Sequence, residues 1–145
     1  DKPDYIDKLC TMDSLYKELE KADVIVSSLP GSKSTYHLLD EEALTHVKKQ
    51  PIFVNVGRGT LMDSNVLEKA LKENIFSGAY IDVTDPEPLP KDSSLWNTNN
   101  LIITPHVTGG YHLDETLNRI VQISATNIQN YCEGKEIINR VNLEV

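Results

Sequence analysis

Long hydrophobic runs are missing from this sequence. Its longest apolar stretches are as short as "LIIT", far below the ~20 residues that span a bilayer, and no targeting segment opens the chain. No membrane partner is expected. Cysteine is scarce: Cys10 and Cys132 lie far apart, without CxxC or zinc-ligand spacing. The four histidines form no HExxH pattern. No metal site is expected, and two reduced thiols suit a cytoplasmic protein. Basic charge is in deficit, 14 Lys and Arg against 22 Asp and Glu, for a net −8. That excludes a partner held by non-specific attraction to nucleic-acid phosphates. Tyr5, Tyr36, Tyr111 and Tyr131 are not interleaved with basic residues, so no base-stacking platform is implied either. Internal repeats and low-complexity tracts are also lacking.

What is present is an ordinary globular composition, 39% hydrophobic and 25% charged over 145 residues, enough for a domain with a core. Apolar runs alternate with helical periodicity. "SLYKELEKA" puts Leu15, Leu19 and Ala22 on one helical face, with Asp13 as the expected cap. "DVIVSSLP" is a buried strand stopped by Pro30. "DEEALTHVKK" runs from acids to lysines, the order a helix dipole favours, and "PIFVNV" is a second strand. In "DSNVLEKALKEN", Asp63 caps a helix with Val66, Leu67, Ala70 and Leu71 on one face. "GAYIDV" and "LIIT" are the third and fourth strands, joined by the long proline-rich loop "TDPEPLPKDSSLWNTNN". A last helix runs from about Leu113 to Cys132 and stops near Gly134, with "EIINRVN" trailing as an extended segment. Apolar strands alternating with helices predict an α/β fold, a parallel sheet with right-handed crossovers and helices on both faces.

In such sheets ligands bind beyond the carboxyl ends of the strands. Here those ends read "SSLPGS", "NVGRG", "IDVTDPEP" and "TPHVTGG". Three of them offer one functional group each. His106 lies between Pro105 and the Gly109–Gly110 pair; an imidazole can move a proton near neutrality, whereas a plain loop histidine would only be hydrated. Glu87 stands between prolines; a carboxylate beside a histidine orients the ring and favours its charged form, the alternative being a solvated loop acid. Arg58 stands between Gly57 and Gly59 at a strand end; its planar fork suits a carboxylate, the alternative being a surface ion pair. Asp82 ends the third strand, where it could accept from a ligand amide or cap the next loop. Tyr80 and Trp96 read as packing residues. An arginine for a carboxylate and a His–Glu pair for a proton fit the interconversion of a 2-keto and a 2-hydroxy acid, with hydride carried by a cofactor.

The stretch "VNVGRGTLMD" superficially matches a dinucleotide fingerprint, strand, Gly-x-Gly, helix start and a later acid. The third glycine is lacking, and Asp63 at the helix start would repel a pyrophosphate. The expectation is instead that Gly57 and Gly59 free the backbone to present Arg58.

Four blocks, "ADVIVSSLP", "VKKQPIFVNVGRGTLMD", "GAYIDVTDPEPLPKDSSLW" and "NLIITPHVTGG", resemble in order and spacing the signature blocks of the D-isomer-specific 2-hydroxyacid dehydrogenases. The resemblance implies a partial doubly wound, Rossmann-like sheet: residues 1–112 as the second half of an NAD(P)-binding domain, and residues 113–145 as a helix and tail returning to a substrate domain. It implies that Arg58 binds the substrate carboxylate, His106 exchanges the proton, and Glu87 pairs with His106. Cofactor contacts, to NAD or NADP, would come from Leu29, Pro30, Thr35, Val56, Gly57, Arg58, Asp82, His106 and Gly109. The substrate would be a small 2-hydroxy or 2-keto acid, and members commonly form homodimers. Ser28 departs from the family, in which many members carry histidine or asparagine. The family's GxGxxG loop does not occur in the sequence, so the expectation is part of a longer enzyme, inactive alone. The competing expectation is a non-catalytic, corepressor-like nucleotide-binding module of the same fold.

Overall fold

The computed structural model describes residues 2–110 and 113–141. Tyr111 and the end of the trailing segment lie outside them. Two compact units divide between His106 and Val107.

The first unit is built on four parallel strands, β1 (Val24–Ser27), β2 (Ile52–Asn55), β3 (Gly78–Ile81) and β4 (Leu101–Ile103). They are hydrogen-bonded in the order β1-β2-β3-β4. The register aligns Val26, Val54, Tyr80 and Ile102 in one row and Ser27, Asn55, Ile81 and Ile103 in the next. Because side chains alternate across a strand, successive rows point to opposite faces.

One face carries the core. Phe53, Ala79 and Ile81 meet Ala43 and Leu44 of α2 (Glu41–Thr45) and Leu67, Ala70 and Leu71 of α3 (Ser64–Lys72) in a single apolar cluster. Phe53 stacks on Phe76 with ring centroids 5.1 Å apart. Leu19, from α1 (Leu15–Leu19), joins the same cluster. On the other face Val24, Val26, Ile52 and Ile102 remain 48–64% exposed, and no helix of this unit packs there. Within this unit the helices therefore lie on one face of the sheet. A strand order that never reverses, joined by right-handed crossovers, delivers every connection to the same side.

Local signals explain the element limits. Asp63 caps α3 by accepting from the Asn65 backbone N–H at 2.7 Å, and Asp40 caps α2 through the Ala43 N–H at 2.9 Å. Helix α2 ends before the lysines expected to close it, and Lys49 instead pairs with Asp23 at 3.2 Å. Asp13 is not the cap of α1: residues Met12–Ser14 form a 3-10 turn, and the helix begins after Ser14. Another 3-10 turn, Ser94–Asn97, interrupts the proline-rich loop.

The second unit is dominated by α4 (Asp114–Cys132). Past it, Gly134 takes a φ of +67°, a left-handed stop that glycine tolerates. The described part of the trailing segment is not a strand; the Asn127 side chain bonds both the N–H and the carbonyl of Ile138. Among the described residues no helix is long and apolar enough to cross a membrane.

Candidate active site

The carboxyl ends of β3 and β4 bring three of the expected residues together. His106 Nδ1 lies 2.6 Å from Glu87 Oε1. An ionised carboxylate only accepts, so the proton of this bond belongs to Nδ1, and Nε2 is left as the atom that can serve a ligand. Both side chains are about two-fifths exposed (40% and 39%). The His106 backbone N–H donates to the Asp82 carbonyl at 2.9 Å. Its φ is +52°, a left-handed conformation that costs a non-glycine residue ~1–2 kcal/mol. Glycine would be the easy choice there.

Asp82 is 1% exposed. The Thr104 hydroxyl donates to its Oδ1, and the Tyr80 hydroxyl lies 2.8 Å from Thr104 Oγ1. Since Thr104 spends its only proton on the carboxylate, Tyr80 is the donor of the second bond. Asp82, Thr84, Glu87, Thr104 and His106 share one cleft of about 300 Å³, whose apolar wall includes Leu89, Ile103 and Trp96. Trp96 is not simply a packing residue: it is 53% exposed and donates from Nε1 to the Pro90 carbonyl at 2.7 Å.

Arg58 is placed at the end of the neighbouring strand β2 and does not line that cleft. Its Nη1 donates to the Gly57 carbonyl at 2.7 Å, and its stem lies against Gly31, whose added Cβ would meet Arg58 Cγ at 3.4 Å. The glycines beside it do not serve backbone freedom. Neither takes a positive φ. A Cβ on Gly57 would lie 2.5 Å from the Leu29 carbonyl oxygen, and one on Gly59 2.1 Å from the Thr84 carbonyl. The turn is wedged between the loops that leave β1 and β3, and only glycine fits on either side.

The remaining expected residues border β1 and β2. Val56 donates from its backbone to the Ser27 carbonyl at 2.9 Å. Thr35 ties the loop after β1 together, its hydroxyl donating to the Pro30 carbonyl at 2.7 Å. Leu29 and Pro30 are exposed on that loop. Gly109 belongs to the second unit, with a φ of +76°. Two residues escaped the sequence reading, Asn55 and Thr104. The available signal was a lone polar residue in the apolar run "PIFVNV", since a buried polar group needs partners.

Residues 1–108 match the family model described as D-isomer specific 2-hydroxyacid dehydrogenase, NAD binding domain. Among curated relatives, a glyoxylate reductase of Korarchaeum cryptofilum is 37% identical over 131 residues, which is 90% of this chain and 39% of that protein. A D-isomer-specific 2-hydroxyacid dehydrogenase from Xanthobacter autotrophicus Py2, solved with NADPH and MES, aligns with TM-score 0.79 and 30% identity. That alignment covers 90% of this chain and 52% of the other. Phosphoglycerate dehydrogenase from Lactobacillus plantarum aligns with TM-score 0.74 and 33% identity, over 98% and 46%. The chain thus spans about two-fifths of the length of the curated relatives it matches.

Proposed function

The chain belongs to the D-isomer-specific 2-hydroxyacid dehydrogenases, by their NAD-binding domain, and from that premise we propose that it carries the proton-transfer and carboxylate-binding groups of an NAD(P)-dependent oxidoreductase. The reaction is the interconversion of a small 2-keto acid and its 2-hydroxy acid. The observation that carries this reading is the 2.6 Å His106–Glu87 bond at the mouth of a cleft that also holds the buried Asp82 carboxylate.

The residues fit a nicotinamide. Asp82 is an acceptor suited to a carboxamide N–H, and the cleft beside it has a partly apolar wall. A bound nicotinamide supplies or takes up the hydride. The chain's own groups do the rest. In the reducing direction His106 gives a proton from Nε2 to the substrate oxygen as the carbonyl carbon gains hydride; in oxidation it takes that proton back. Glu87 holds the ring and offsets its positive charge. Arg58 grips the substrate carboxylate. Glyoxylate and hydroxypyruvate are the first substrates to test, since relatives named for them align over most of this chain. Residues 113–145 are read as the return to a substrate domain. Residues 1–145, which contain no GxGxxG loop, are expected to be inactive alone, and the full-length enzyme to be a cytoplasmic homodimer.

The test is a direct assay of full-length protein with glyoxylate, hydroxypyruvate and pyruvate, each with NADH and NADPH. His106→Ala should abolish most of kcat, by ~10²–10⁴-fold for a lost general acid–base group, and Arg58→Ala should mainly raise KM. Turnover that survives His106→Ala nearly unchanged removes the acid–base assignment.

A further inference from the structure

We propose that Asn55 is a positioning residue for Arg58, clamping the turn that presents the guanidinium without itself touching a ligand. This rests on the reading of Arg58 as the carboxylate-binding group. Asn55 is the last residue of β2, paired in register with Ser27 and Ile81, and only 3% exposed. Its Oδ1 accepts from the Gly57 backbone N–H at 3.1 Å. Its Nδ2 donates to the Arg58 carbonyl at 2.9 Å. The two partners are a backbone donor and a backbone acceptor, so the side-chain amide has only one orientation that satisfies both. Its main-chain carbonyl meanwhile accepts from the Asp82 N–H at 2.9 Å, which ties the same residue to the strand that carries the cofactor-side acid.

Backbone crowds the turn on both sides. Leu29 blocks it on the Gly57 side and Thr84 on the Gly59 side. The Asn55 amide bridges the two peptide units that flank the Gly57–Arg58 peptide, one through the Gly57 N–H and the other through the Arg58 carbonyl, and so fixes their separation and relative orientation. Arg58 itself is extended there, φ −140° and ψ 142°, so no local helix fixes the direction in which its side chain departs. Two-pronged recognition of a carboxylate depends on that direction. Asparagine is the residue with a donor and an acceptor at this reach. Aspartate keeps the acceptor for Gly57 but sets a second oxygen against the Arg58 carbonyl.

The experiment is a double-mutant cycle in the full-length enzyme, Asn55→Asp and Arg58→Ala separately and together, read as KM and kcat/KM for the 2-keto acid and as NADPH dissociation constant. Asn55→Asp should lower kcat/KM by ~10-fold or more, the scale of a small misplacement at a reacting site, through KM, with NADPH affinity within about twofold. In the Arg58→Ala background it should change kcat/KM by less than about twofold. A full and equal effect in both backgrounds overturns the positioning role while leaving the Arg58 assignment intact. An unaffected KM in Arg58→Ala alone overturns both. Should Asn55→Asp not fold, hydrogen exchange on the wild-type protein decides: the Gly57 amide should be strongly protected, and exchange at the unprotected rate overturns the clamp.

Discussion

Adding one methyl group at Gly59 should be among the most damaging substitutions in the molecule. An alanine Cβ there would sit 2.1 Å from both the carbonyl carbon and oxygen of Thr84, and 2.7 Å from the Asp85 nitrogen. The two Thr84 contacts fall more than an ångström short of ordinary van der Waals separation, and the obstacle is backbone, so no rotamer change relieves it. Overpacking of this kind costs typically ~1–3 kcal/mol and occasionally more; an obstacle that is backbone belongs at the upper end, about 3 kcal/mol. Against a total stability of roughly 5–15 kcal/mol for a domain of this size, that is a large fraction. Three other glycines provide the internal scale. Gly57→Ala meets the Leu29 backbone at 2.5 Å and should cost nearly as much. Gly109→Ala has nothing within 4 Å but a φ of +76°, so it should cost only ~1–2 kcal/mol of left-handed strain. Gly31→Ala would touch the flexible Arg58 stem at 3.4 Å and should change stability by less than about 0.5 kcal/mol. Urea unfolding followed by circular dichroism gives the four values. Amide shifts should move from Thr84 toward Glu87 in Gly59→Ala, and around Leu29 in Gly57→Ala. A Gly59→Ala variant as stable as Gly31→Ala would refute the wedge.

Phe53→Ala should cost ~3–5 kcal/mol, because Phe53 is 1% exposed and stacked on Phe76; a loss under about 1 kcal/mol in the same urea assay would show that this face is not the core. Glu18 has its pKa lowered, first by the hydrogen bond from Lys8 and then by that from Lys21. A lowered folded value means that its contribution is present above the ordinary carboxylate range and is lost as acid takes the pH down through the lowered value. The stability gap between wild type and Glu18→Gln should therefore close on acidification, and a gap independent of pH would refute the pairing.

The four strands were legible because each is a short apolar run bounded by turn residues, and a parallel sheet buries such runs. Helix α3 was legible for the same reason that it is stable, a capping Asp63 and an apolar stripe at Leu67, Ala70 and Leu71. The charge order of "DEEALTHVKK" suits a longer helix than α2, but charge order is not hydrogen bonding, and Lys49 answers to Asp23 just before β1. The Glu87–His106 contact follows from two strand ends being neighbours in the sheet. Asn55 and Thr104 were not legible, since their value lies in partners chosen by tertiary approach, Gly57 and Arg58 for one, Asp82 and Tyr80 for the other. The glycines of "VNVGRG" serve a property that composition does not show. Composition marks a glycine, but only the neighbouring chain tells whether it is there for its dihedral or for its missing Cβ.

The acidic centre of the site is buried although it lies on the open side of the sheet. Asp82 follows Ile81, a core-side residue, and so points to the side of Tyr80, where Ile102 and Val26 are open. It is nevertheless 1% exposed. No helix of its unit does this. Groups from the end of β4 and the segment between β3 and β4 meet it: the Thr104 hydroxyl donates to the carboxylate, the His106 N–H donates to its carbonyl, and Leu89 and Trp96, whose indole bonds Pro90, line the same cleft. A buried carboxylate needs both exclusion of water and hydrogen-bond donors. Thr104 supplies a share of the second, and the proline-rich loop lends the cleft an apolar wall. The chemistry at this strand end therefore depends on a segment with little regular structure, built from the same residues that carry Glu87 to its histidine.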